Sequence, residues 1–442
     1  MKTLWIKTAV LTTVLSSTAF YAQENSMRAY LAPEKYNRNV FEDPKIEAPE
    51  FDGVKISIGG DFALQFQALD HSTLGTLPTG TTLNPMGKDF NLPNANLDIN
   101  AYLAKGVKMH LRNYLSARHH NEAWVKGGYI EIDNLDFISK GLFGDIMKYA
   151  RFKFGMDDIN YGDAHFRRTD GAYSLSNPFV ENNIMDSFTT QPNAEGYVFY
   201  NNFIGMVGIS NGKLNQSVVN NANSDNKPSL YAKVGYDKQV NTDLRVRVTG
   251  SIIKTNGLTT NGSLYSDDRS GSRYYYVLLT TTDATGTSNP ATGRFNPGFK
   301  EMTCIQINPF VKFKGLEFFG TFESVKGNKL VSAATATAPA VKRDSDGKYT
   351  QVATELLYRF GNSEQFYIGG KYNTISGKDY DGAATRKIDR VNIDAGWYMT
   401  KNVLAKLEYV SQTYDKSAAW GTTSALYGGK FNGLMLEATI GF

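Results

Sequence analysis

Apolar and polar residues alternate one for one along much of the chain beyond residue 53. Val54, Ile56, Ile58, Phe62, Leu64, Phe66 and Ala68 share one parity, and Lys55, Ser57, Asp61, Gln65 and Gln67 share the other. Successive side chains of a strand point to opposite faces, so this pattern predicts a long strand with one apolar and one polar face. The pattern returns repeatedly. Val107, Met109, Leu111 and Leu115 oppose Lys108, His110, Arg112 and Tyr114. Leu244, Val246, Val248 and Ile252 oppose Arg245, Arg247, Thr249 and Ser251. Val403, Ala405, Leu407 and Tyr409 oppose Lys406 and Glu408. The final residues do the same, with Leu434, Leu436, Ala438, Ile440 and Phe442 on one side.

The connections between these segments also alternate. Tight links fall at Lys105-Gly106, Asn201-Asn202, Val240 to Asp243, Lys314-Gly315, Asn362 to Glu364 and Lys401-Asn402. Long polar stretches fall between them: His71 to Asn94, Asp157 to Ala194, Asn211 to Pro228, Gly257 to Phe299, Gly327 to Tyr349, Gly377 to Lys387 and Lys416 to Gly428. One further link on the short side, Leu135 to Ile146, is long enough to hold a helical turn, and Tyr274 to Thr281 reads as a local hairpin inside a long loop. Short turns on one rim and long loops on the other are the sequence signature of an outer-membrane barrel, with the short side periplasmic. The expectation is an all-β fold, a transmembrane antiparallel β-barrel of about 16 strands. A last strand ending on Phe442 would close the sheet against the first and leave no edge in lipid.

The first residues read differently. Lys2 and Lys7 precede an apolar run and the small residues Ser16 to Ala19, the layout of a secretion signal cleaved after Ala19 or Ala22. The chain therefore divides into a leader, 1–22, a Pro-punctuated and flexible lead-in, 23–52, and the barrel, 53–442. Nothing later resembles a transmembrane helix of about 20 apolar residues. The expected location is the outer membrane, with its lipid on the apolar face.

Composition narrows the chemistry. Lys and Arg number 47 against 43 Asp and Glu, which argues against a large basic surface for nucleic acid. The 26 Tyr and 26 Phe suit strands with aromatic girdles. A single cysteine, Cys304, gives no disulfide framework, and its simplest role is apolar filler. The five histidines show no metal-ligand spacing, and no cofactor is expected. No Gly-x-Ser-x-Gly elbow, His-Glu-x-x-His or Walker loop is present, so the chain is not expected to be an enzyme.

Arg151-Phe152-Lys153-Phe154-Gly155 is a basic-aromatic strand ending in Gly. The stretch after it contains His165-Phe166-Arg167-Arg168-Thr169-Asp170-Gly171 and Asn177-Pro178-Phe179. Here the chain resembles a general outer-membrane porin, most closely the phosphate-selective porin O/P-like family. The Pro that often follows the basic strand in that family is replaced by Met156-Asp157. The resemblance implies a homotrimer whose third external loop folds inward and narrows the barrel. His165, Arg167 and Arg168 would then form the constriction. Lys108, Arg112, Arg151, Lys153, Arg245 and Arg247 have lumen parity and would extend a positive strip favouring anions or phosphate. Carboxylates such as Asp61, Asp98, Glu131, Glu317, Glu323, Glu355, Asp394 and Glu408 share that parity. The functional expectation is passive diffusion of small hydrophilic solutes or ions. A barrel acting through its external loops, as an adhesin or secretion component, is the alternative. Phe442 would serve as the signal read by the barrel-assembly machinery.

Overall fold

A computed structural model describes residue 30 and residues 39–115, 123–171, 173–214, 223, 225–258, 264–265, 271–283 and 291–442. The leader lies outside the described residues, as does most of the lead-in before residue 39.

Sixteen antiparallel strands form one closed barrel in simple sequence order. They are β1 (Lys55–Ser72), β2 (Asp89–Ala104), β3 (Val107–Leu115), β4 (Trp124–Ile132), β5 (Ala150–Asp158), β6 (Thr190–Tyr200), β7 (Phe203–Ser210) and β8 (Ser229–Gln239), followed by β9 (Leu244–Thr255), β10 (Glu301–Phe313), β11 (Leu316–Asn328), β12 (Gly347–Phe360), β13 (Phe366–Lys378), β14 (Arg386–Thr400), β15 (Val403–Tyr414) and β16 (Lys430–Gly441). The seam joins β1 to β16 in a register running from Asp61 opposite Gly441 to Ser72 opposite Lys430. Beyond it, the Gly60 and Phe442 backbones exchange hydrogen bonds of 3.1 and 3.0 Å. The closed ring thus leaves neither terminal strand as a free sheet edge, which a spanning sheet in lipid requires.

The alternation sorts the wall as the pleat demands. Ile58, Leu356, Ile393, Leu407 and Leu436 are exposed on the outside. Their neighbours of opposite parity, including Asp61, Asp98, Glu355, Glu408 and Glu437, are buried inside. Aromatic residues gather at the periplasmic ends of the strands. Phe360 stacks on Phe366 at 5.6 Å, Phe366 on Trp397 at 6.0 Å, and Phe203 meets Tyr236 edge-on at 5.0 Å. Such a band suits the lipid–water interface. The tight turns follow hairpin chemistry: Asn201 and Lys314 adopt φ of 55° and 51° at the first turn position, and Gly106 adopts 71°.

The long inner link holds one helical turn, α1 (Gly144–Met147), as its length allowed. Two details depart from the sequence reading. The hairpin in the fifth external loop pairs Tyr274–Tyr275 with Ala291–Thr292, and the sixth loop holds a second pairing, Leu330–Ser332 with Val341–Lys342. The second departure is larger: within the lead-in predicted as flexible, the described residues from Asn39 to Lys45 enter the barrel. Asn39 and Phe41 are buried, and Lys45 bonds Asp133 at 2.9 Å. Charged and aromatic side chains hold this segment where Pro44 and Pro49 had suggested a loose chain.

Candidate pore constriction

The third external loop, residues 159–189, lies inside the barrel. It has no ladder of its own, so the wall's polar side chains receive its backbone N–H groups. Gly162 N donates to Ser251 Oγ (3.1 Å) and Asp163 N to Asn308 Oδ1 (3.0 Å). Ser174 N donates to Asp61 Oδ2 (2.8 Å) and Val180 N to Glu408 Oε2 (3.0 Å). Ile184 N donates to Asn373 Oδ1 (2.6 Å) and Met185 N to Gln351 Oε1 (2.8 Å). These acceptors come from β1, β9, β10, β12, β13 and β15, so the loop crosses the lumen and is fastened on several sides. The fifth external loop closes over it: Phe188 N donates to Leu264 O (2.8 Å), and Phe295 N to Ile184 O (2.7 Å).

Each candidate cation lies in the lumen, and each has a carboxylate partner. Arg167 bridges Glu317 and Glu355, both at 2.6 Å, with its guanidinium over the Phe319 ring. Arg168 pairs with Asp186 and lies over Phe188 at 3.9 Å. Arg112 grips Asp98 with two nitrogens, at 2.7 and 3.0 Å. Arg151 bonds Asp133 at 2.9 Å and lies 3.2 Å from Glu131, which also takes Lys108 at 2.7 Å. Lys153 pairs with Asp157. Arg245 holds Asp237 at 2.8 Å, and Arg247 reaches Asp163 at 2.9 Å and Glu42 at 2.6 Å. His165 is buried beside Asn160, its Nε2 3.0 Å from Oδ1. Burial and the nearby Lys233 push its pKa down to about 3, so the imidazole is neutral at pH 7.

The positive strip expected along this wall is thus matched by carboxylates of the same lumen parity. A charge in a low-dielectric interior is costly alone and is tolerated when paired and hydrogen-bonded. Arg167 and Arg168 fasten the loop as much as they electrify the lumen. Among the described residues, one cavity of about 90 Å³ lies against the β3–β5 wall, between the third loop and Phe41 to Asp43. Four cations, Lys108, Arg112, Arg151 and Lys153, line it with five carboxylates, Glu42, Asp43, Glu131, Asp157 and Asp158. Neither sign dominates.

Sequence reasoning missed two contributors: Phe41 with Glu42, and the buried part of the fifth loop around Tyr274 to Leu278. The apolar run at Val277-Leu278-Leu279 was the available signal for the second. For the first, a buried Phe-Glu pair between prolines has no periodicity to betray it.

No protein-family model and no curated relative matches the chain. Its fold does match solved outer-membrane structures. The outer membrane channel DcaP of Acinetobacter baumannii is 12% identical over 90% of this chain and 100% of that one, with a TM-score of 0.51. The Salmonella typhi OmpF complex with daunomycin is 11% identical over 88% of this chain and 98% of that one, with a TM-score of 0.50. At these identities the likeness is one of architecture. The chain shares the closed-barrel fold of these outer-membrane proteins.

Proposed function

We propose that the protein is an outer-membrane porin through which small hydrophilic solutes or ions diffuse passively. The observation that carries this reading is the third loop laid across the lumen beside a cavity lined with charged groups. A wall with an apolar exterior and an interior loop is the arrangement that sets a size limit on diffusion. Because the candidate lumen cations are paired with carboxylates, the reading favours a narrow pore with weak ion preference. The finer expectation of anion or phosphate selectivity gains little from Arg167 and Arg168, whose charge is shared with Glu317, Glu355 and Asp186. No catalytic role is proposed. The reading includes a homotrimer, a cleaved leader, and assembly by the barrel-assembly machinery acting on the strand that ends in Phe442.

How fully the loops pack the lumen favours a second reading, a closed barrel that presents its external loops to a partner. Single-channel recording of the refolded protein in a planar bilayer under a KCl gradient separates the two. The porin reading expects small stepwise openings and a reversal potential near zero. A correctly folded barrel that never opens would transfer the function to its loops.

A further inference from the structure

The segment from Asn39 to Glu50 enters the barrel from the periplasmic end and reaches the third loop. Phe41 is the apolar point of contact. It meets Phe166 of the loop edge-on at 6.0 Å and Phe310 of the wall at 5.5 Å, with the Arg247 guanidinium 4.1 Å from its ring. Glu42 is the electrostatic one. It takes Arg247 Nη2 at 2.6 Å, Lys233 Nζ at 3.0 Å and Asn160 Nδ2 at 3.1 Å, joining two wall strands to the loop. Asn39 donates to Glu317 (2.8 Å) and accepts from Arg167 (3.0 Å). Further down, Lys45 holds Asp133, Arg151 donates to Asp43 O at 2.8 Å, and Glu50 pairs with Lys105.

We propose that this segment is a strap, and that Phe41 and Glu42 set the width and charge preference of the pathway from below. The inference rests on the channel reading above and adds to it the element that limits it. Phe41 takes up volume beside the charged cavity that it lines. Glu42 answers two wall cations, Lys233 and Arg247, which also share Asp163. Arg247 also meets Asp237 at 3.2 Å, which Arg245 holds, so removing the Glu42 charge leaves three cations, Lys233, Arg245 and Arg247, to two carboxylates, Asp163 and Asp237, at that point of the wall. Anion preference is thus latent in this barrel and masked by its own N-terminal segment.

The full chain carrying Phe41→Ala and Glu42→Gln tests this without removing the strap's other anchors. In planar bilayers its conductance should rise at least about twofold, and its reversal potential should move toward the anion side. Wild-type-like channels with unchanged conductance and selectivity overturn the strap. A second readout does not need an open channel. Arg245→Cys in a Cys304→Ser background places a thiol on the wall beside Asn39 and Phe41. It should react slowly with a charged, membrane-impermeant thiol reagent in the full chain and about tenfold or more faster when residues 39–50 are deleted. Equal rates overturn the strap. Faster labelling in a deletion that still carries no current leaves the strap standing and overturns the channel reading. Heat-modifiable gel mobility confirms that each variant is a folded barrel.

Discussion

At the outer end of the lumen, Ile253, Cys304, Val325, Ile375, Ile388, Val410 and Phe431 point inward from seven strands and pack against Val180, Ile184, Tyr265 and Val277 of the loops. At the inner end, on the β3–β9 side, the same inward positions carry Lys108, Glu131, Arg151, Arg245 and Arg247. The pleat is continuous between the two levels. Only the partners change. The outer level is built like the interior of a soluble domain, where apolar contact joins loops to wall. The inner level is an ion-pair network, where each group is held by a named partner. The two levels should therefore fail differently. Apolar packing tolerates changes of shape and resists charge; the network tolerates little loss of a partner and should respond to salt and pH.

The largest expected effect comes from reversing two charges in the network. Arg167→Glu with Arg168→Glu would set new carboxylates against Glu317, Glu355 and Asp186. Leaving buried charges without partners costs on the order of 3–5 kcal/mol. The third loop should detach, with larger conductance and a shift toward cations in bilayer recordings. Unchanged selectivity and stability would mean that these side chains do not fasten the loop. A second test contrasts two positions three residues apart on β15. Val410 faces the apolar outer lumen and is 0% exposed, whereas Leu407 faces lipid and is 46% exposed. Val410→Asp should cost several kcal/mol, about as much as an uncompensated buried charge. Leu407→Asp should cost less, up to about 2–4 kcal/mol depending on depth. The denaturant midpoint of each folded barrel measures the difference, and a reversed order would break the contrast.

The smallest effect is expected at the rim. Burial raises the Asp379 carboxyl, but hydrogen bonds from Lys329 and Tyr349 and the charges of Lys329 and Arg386 outweigh it and hold its pKa below the usual carboxylate range. A lowered folded-state value means that this stabilisation is present above the ordinary carboxylate range and is lost as pH falls through the folded-state value. Acid should thus loosen the link between the sixth and seventh external loops while the barrel stays closed. Faster protease cleavage at this rim in acid, matched by Asp379→Asn at neutral pH, is the expected result. Equal cleavage of both proteins at neutral pH would remove Asp379 from the account.

The wall was legible in the sequence because its rule is local. The parity of Ile56, Ile58 and Leu64 against Asp61 and Gln65 is written within a dozen residues, as are the turns at Gly106 and Lys314. The lumen was less legible because its rules are distant in sequence. Arg167 meets Glu355 from 188 residues away and Asn39 meets Glu317 from 278 residues away, and no spacing foretells either pair. Lumen parity placed Arg245 and Arg247 on the inner face, but parity is silent on whether a charge stands alone. Leu404 and Val410 show a second limit. They share the inner face with Lys406 and Glu408, so apolar and charged positions mix on one parity where the interior is packed. The Pro-flanked Phe41-Glu42 pair read as loose chain because order there comes from Arg247 and Phe310, far along the sequence.

The seam between β1 and β16 also imposes an order of events. Asp61 cannot pair with Gly441 until nearly the whole polypeptide is available, so ring closure is among the most non-local steps a chain of this length can make. Until then both terminal strands offer unpaired edges, the form in which polypeptides associate wrongly. The segment that enters the finished ring from below lies immediately before β1. It can find Arg247 and Phe310 together only after β9 and β10 are side by side. Docking of the chain's beginning therefore waits on the pairing of β9 with β10, and a barrel interrupted before closure would expose edges.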